Sequence, residues 1–215
     1  MASFTTFHFL YLLDAAKWTI LLSLIAFVGG AVLGMALALA RLSKFAPLRW
    51  LAIGYIQIVQ GTPLLILLFL AYFGLAILGA KLEPVVAAGL ALTLYTGAFL
   101  GEIWRGCIQS VPKTQWEASD CLGLERWQQY VYVILPQATR IATPPTVGFM
   151  VQVVKNTSLA SIIGFIELAR AGQIVNNATF QPFLVFICVA VIYFALCYPL
   201  SVASRHLERK LNVAR

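Results

Sequence analysis

Five stretches of this chain carry almost no ionisable residue, and short basic segments separate them. The first, Trp18 to Ala40, holds no charge. At ~1.5 Å of rise per residue it exceeds a hydrocarbon core of ~30 Å, so it predicts a membrane-spanning helix with some tilt. Further apolar runs lie within Trp50 to Ala80, Pro84 to Gly101, Ile141 to Ile166 and Ala171 to Ser204, with Lys155 the single charge in the fourth. The pattern predicts an all-α integral membrane protein of about five transmembrane helices.

Composition agrees. Of 215 residues, 61% are hydrophobic and only 11% charged, and the mean hydropathy is +0.88, which excludes an ordinary soluble domain. A cleaved signal peptide fits the first run poorly, because it is too long and lacks a basic leading segment. The net charge of +7 reports orientation rather than affinity for nucleic acid. Arg41, Lys44 and Arg49 fill the first loop, Arg105, Lys113, Arg126 and Arg140 the third, and Arg205, Arg209, Lys210 and Arg215 the end, whereas the intervening loops carry Lys81 and Arg170. The positive-inside rule then puts the N-terminus outside and the C-terminus in the cytoplasm, which requires an odd number of spans. Residues 1–215 form one membrane domain, with a cytoplasmic loop at about 106–136. The four cysteines show no CxxC pairing, and His8 and His206 lie at opposite ends. Neither a metal site, a disulfide framework nor a resident cofactor is expected.

The loop from Gln115 to Pro136 is the one long charged, helix-patterned stretch between the apolar runs. Pro112 can open it, Thr114 with Glu117 forms a T-x-x-E capping-box pattern, and Gly123 is a natural stop, so a short helix from about Gln115 to Leu122 is expected. Trp116, Ala118 and Ser119 give that helix a small and aromatic surface. Such a surface suits a partner's groove, and equally an amphipathic helix lying on the bilayer.

Glu117-Ala118-Ser119, then Gly123, then Val133-Ile134-Leu135-Pro136 resembles the E-A-A-x3-G-x9-I-x-L-P motif of membrane subunits of ATP-binding-cassette importers, with matching spacing throughout. Gln60-Gly61-Thr62-Pro63-Leu64-Leu65, Gly101-Glu102-Ile103-Trp104-Arg105-Gly106, Leu135-Pro136-Gln137-Ala138, Pro144-Pro145 and Lys155-Asn156-Thr157-Ser158-Leu159 are similar to the polar amino-acid permease branch of that family. The likeness runs over nearly all of the chain after Ala15. Ser119 in place of the second Ala and Val133 in place of Ile are its visible departures. The resemblance implies the type I importer (MetI-like) permease fold. It also implies a coupling helix, with Glu117, Ala118, Ser119 and Gly123 as its residues, inserting into a groove of a cytoplasmic ATPase.

Polar residues inside the apolar runs mark a candidate pathway. A lysine deep in a span costs about 2.5–3.5 kcal/mol on insertion scales, so Lys155 should face a carboxylate, carbonyls or water rather than lipid. Asn156, Thr157 and Ser158 extend that polar patch over successive helical directions, as in a broken or pathway-lining helix. The alternative is a buried ion pair of Lys155 with Glu102 or Glu167. Glu102 can also pair with Arg105, three residues on. Gln57, Gln60 and Thr62 precede Pro63, which can kink the second span; the glutamines can meet a polar solute or a neighbouring helix. Glu167, Arg170 and Gln173 are expected at the outer surface, facing solvent or a binding protein. Gly30 with Gly34, and Gly97 with Gly101, are read as close-packing positions.

The chain has no G-x-x-x-x-G-K-[ST] pattern, and its loops are too short for a nucleotide-binding domain. Energy must therefore come from a partner, and the resemblance implies what it is: ATP and Mg bound by a cytoplasmic ATPase dimer, with an outer amino-acid-binding protein and a second permease subunit, identical or related, completing an importer in the bacterial inner membrane. A stand-alone channel or ion-coupled carrier is the alternative; it leaves the Glu117–Pro136 pattern without a purpose.

Overall fold

The computed structural model describes residues 3–212 as an all-helical structure. Its elements are α1 (Thr6–Leu42), α2 (Ala46–Gly61), α3 (Leu64–Ile77), α4 (Pro84–Gln109), α5 (Lys113–Cys121), α6 (Arg126–Ile163), α7 (Leu168–Thr179) and α8 (Pro182–Asn212). Four of them, α1, α4, α6 and α8, are long and apolar enough to cross a membrane, and α2 with α3 forms a bent pair that makes up to five crossings.

The bend between α2 and α3 is 104°, far sharper than a proline kink. Pro63 lacks an N–H and pushes the residue before it out of helical geometry. Thr62 accordingly sits at φ −107°, ψ 131°. The chain re-enters the helical region at once, because Leu64 onward is uninterrupted aliphatic sequence.

Glycines fix how α1 meets α4. A Cβ built on Gly30 would lie 2.4 Å from Thr96 Cγ2, and one on Gly34 would lie 3.1 Å from the Gly97 carbonyl and the Gly101 amide. The two helices therefore touch backbone to backbone, as the sequence spacing of small residues suggests. Leu22, Ala26, Ala88, Ala91 and Leu92 continue the contact into the main core, where Leu64 and Leu68 of α3 and Val153 of α6 join it.

The apolar run from Ala171 to Ser204 is not one helix. Phe180, at φ 54°, and Pro182 divide it into α7 and α8. Helix α7 packs Leu168, Ala171 and Val175 against Leu12, Ala15 and Ala16 of α1 and Val185, Val189 and Ile192 of α8, so it is a separate amphipathic helix. Within α6 the hydrogen-bonding register changes three times, from a short α-helical turn (Arg126–Gln128) to a π-helical turn (Gln129–Ile134) to an α-helix (Leu135–Asn156) to a 3₁₀ segment (Thr157–Ile163) that ends at Gly164, φ +89°.

Candidate functional site

Helix α5 begins two residues earlier than its capping pattern indicates. Pro112 occupies the N-cap position and Lys113 is already helical, so Thr114 lies inside the first turn and makes no cap. The fixed φ of proline pre-sets the helix start and outranks the Thr114–Glu117 pattern. A capping box does occur nearby: Glu125 with Gln128 at the start of α6. The stop at Gly123 is as expected. Gly123 sits at φ +69°, where a Cβ is strained. Its N–H donates to the Asp120 carbonyl at 2.9 Å, and the Leu124 N–H reaches back to that of Ser119 at 3.2 Å. This pair of bonds satisfies the last carbonyls and turns the chain back towards α6.

Glu117, Ala118 and Gly123 are exposed on α5. Ser119, grouped with them by its sequence, is 1% exposed: it faces inward and its hydroxyl donates to the Trp116 carbonyl at 2.7 Å. Trp116 also turns inward, meeting Tyr130 edge-on at 5.1 Å beside Ile108, Val111 and Ile134. The outward surface of α5 is thus acidic and small rather than aromatic. Beneath it lies Gln129, 1% exposed, which bonds Asp120 and the Leu124 carbonyl. Sequence reading passes over Gln129, because nothing in Trp127-Gln128-Gln129-Tyr130 tells which glutamine the π turn rotates inward.

The polar patch at the other end of α6 splits by direction. Lys155 is exposed and lines a cleft of about 800 Å³ between α6 and α8, with Gln152, Tyr193, Tyr198, Ser201 and Arg205. No carboxylate lies within ion-pairing distance of it among the described residues. Asn156 is half-buried and accepts from Gln152 Nε2 at 3.0 Å, while its own Nδ2 is buried without a partner. Thr157 is fully buried and donates to the Val154 carbonyl at 2.8 Å; Ser158 donates to that of Lys155 at 2.7 Å. Lys155 faces the cleft, Asn156 touches its rim only through Gln152, and Thr157 belongs to the core.

Both expected partners of Lys155 are engaged elsewhere. Glu102, which the sequence grouped with the pathway, accepts from Arg41 Nε at 2.9 Å and from Arg105 at 2.7 Å, tying the ends of α1 and α4 together. Arg41 is the member of this triad that spacing along one helix cannot reveal. Glu167 does not face solvent. It is fully buried, where its carboxylate caps α7 by accepting from the Ala169 and Arg170 amides at 3.0 and 2.9 Å and takes the Tyr193 hydroxyl of α8 at 2.7 Å. Thr19 of α1 accepts the Leu168 N–H at 3.1 Å, closing the knot. Arg170 instead meets Gln173. In α2, Gln60 donates to the Ala98 carbonyl of α4 at 3.3 Å and so serves packing, whereas Thr62 donates to the Ile58 carbonyl of its own helix at 2.7 Å; Gln57 is exposed.

The model of binding-protein-dependent transport system inner membrane components matches residues 30–213. The chain belongs to that family. Membership makes it an inner-membrane component of a transport system that depends on a binding protein. Among relatives, the L-cystine transport system permease protein TcyB of Bacillus subtilis is 39% identical over 91% of this chain and 84% of its own length. An amino acid ABC transporter solved with histidines superposes with a TM-score of 0.89 at 32% identity, over 93% of this chain and 94% of that one. The methionine ABC transporter MetNI, at 20% identity and a TM-score of 0.79 over 97% and 99%, shares the fold.

Proposed function

We propose that this chain is the permease subunit of an ATP-driven importer that carries a polar or charged amino acid across the bacterial inner membrane. ATP and Mg are bound by a separate cytoplasmic ATPase dimer, a binding protein delivers the amino acid from outside, and a second permease subunit, identical or related, completes the pathway. The alternation of basic loops supports an outside N-terminus and a cytoplasmic C-terminus, which puts α5 on the ATPase side. The observation that carries this reading is α5 itself: a short polar helix between two membrane-long ones, stopped by Gly123 and exposing Glu117 and Ala118.

The mechanism follows from what a partner can do to an equilibrium. Two ATPase subunits that close on nucleotide bind the outward-open permease more tightly than the inward-open one, and this differential affinity drives the change of access. Glu117, exposed in the middle of α5, offers a carboxylate to the partner, Ala118 allows close approach, and Gly123 lets the chain return to the membrane. Ser119 holds α5 to its own chain rather than to the ATPase. At the pathway, Lys155 offers an ammonium that a substrate carboxylate can meet, with Gln57, exposed on α2, and Asn156, next in sequence, as further polar groups. Gln60 and Glu102 tie neighbouring helices together, Thr157 is buried in the core, and Thr62 and Ser158 bond within their own helices.

Reconstitution with ATPase and binding protein tests the reading. Uptake should require ATP, and Gly123→Leu should leave the complex assembled while abolishing most uptake per ATP hydrolysed. Uptake without any ATPase, or full uptake by an assembled Gly123→Leu complex, would overturn it.

A further inference from the structure

Helix α5 has to move the membrane helices, yet the segment from Cys121 to Glu125 that joins it to α6 is a turn, and a turn transmits force poorly. One side chain bridges it. Gln129 is buried under α5 and donates from one amide nitrogen both to the Asp120 carboxylate in the last turn of α5 and to the Leu124 carbonyl in the turn, the latter at 3.0 Å. Gln129 is also the first residue of the π-helical turn, which runs without a break into the α-helix that carries Lys155 and Asn156. A π turn widens the helix and re-aims the side chains in it. Here it turns Gln129 inward beneath α5, beside the Trp116–Tyr130 contact. Gln137 adds a weaker tie at 3.3 Å to Gln115 at the opposite end of α5.

We infer that Gln129 is a positioning residue for coupling: it clasps α5 to the π-helical start of α6, so that displacement of α5 by the ATPase moves the cleft-lining face of α6. The inference rests on α5 being the ATPase-docking helix. Asp120 is the charged half of the clasp, and a carboxylate accepting an amide N–H forms a stronger bond than a neutral pair; the donor side, Gln129, is buried, while the carboxylate reaches solvent. Because Asp120 is itself exposed at its surface, it also keeps α5 soluble on its outer side.

The test uses the whole transporter in proteoliposomes and reads amino acid imported per ATP hydrolysed, which a loss of stability alone leaves unchanged in assembled complexes. Gln129→Leu keeps the side-chain volume and removes the amide; uptake per ATP should fall about tenfold, as expected for one charge-assisted hydrogen bond, with ATP hydrolysis retained. Asp120→Ala should give a similar loss, and the double variant no further loss, because both remove one interaction. Asp120→Asn, which keeps an acceptor oxygen, should restore most coupling. Wild-type uptake per ATP in Gln129→Leu and Asp120→Ala, or fully additive losses, would overturn the clasp. Gly123→Leu measured alongside separates the two levels: if it alone uncouples, the clasp fails and the docking role of α5 stands; if all variants transport normally, the docking role fails as well.

Discussion

The α1–α4 seam and the α6–α8 cleft are both contacts between membrane-long helices, and they are built from opposite materials. At the seam, Gly30, Gly34, Gly97 and Gly101 bring two backbones together so closely that a methyl group at Gly30 would overlap Thr96. At the cleft, α6 and α8 pack through Val151, Val154 and Cys197 yet leave beside that contact a space of about 800 Å³ lined by Gln152, Lys155, Tyr198 and Arg205, and Ser204 donates to the Pro144 carbonyl at 2.9 Å between the two helices. In lipid there is no hydrophobic drive to close such a gap, so packing of small residues decides which helices lock. The seam is therefore the frame, and the cleft is where the molecule has room to change.

That contrast can be broken from either side. The largest effect is expected at the seam: Gly30→Leu forces α1 away from α4 and should destabilise by at least the ~1–3 kcal/mol typical of overpacking, removing folded permease from membranes; normal yield on size-exclusion of the solubilised complex would show that the seam is not the frame. In the cleft, Lys155→Met should leave assembly intact and lower uptake about tenfold, as loss of one charged contact to a carboxylate substrate implies. Unchanged uptake and affinity would remove Lys155 from the pathway. The smallest effect is expected from Ser204→Ala, which deletes the cross-helix bond and should cost about 1 kcal/mol or less in thermal unfolding of the complex. A loss as large as that of Gly30→Leu would mean that the cleft is a locked contact too.

How legible each region was in the sequence follows from the same physics. At the seam, close packing was readable from small residues four apart on two apolar runs, but not that the two pairs meet each other, because spacing along one helix does not name its partner. Four to five crossings were readable from charge-free runs, but neither the sharp bend of the second run nor the division of Ala171–Ser204 was: Phe180 carries no warning of a left-handed backbone, and the polar residues Gln173, Asn176 and Asn177 of α7 lie in a run that hydropathy averages over. Local rules failed where a stronger one competed, as when Pro112 set the start of α5 ahead of Thr114. Glu167 was misplaced for a related reason. Its neighbour Arg170 suggested a solvated surface, whereas three donors from the α7 backbone and α8 compensate its burial. Gln129 was invisible, because a π turn changes which way a residue faces without leaving a pattern in composition.

The central claim is that α5 meets a nucleotide-driven partner, and its position is directly measurable. In the assembled transporter, a Cys introduced by Ala118→Cys on a background lacking the four native cysteines should crosslink to the ATPase subunit with a short bifunctional thiol reagent. It should resist both a lipid-phase thiol reagent and an impermeant one added from outside. Labelling of that Cys from the lipid phase or from the outer face, with no ATPase crosslink, would contradict the account.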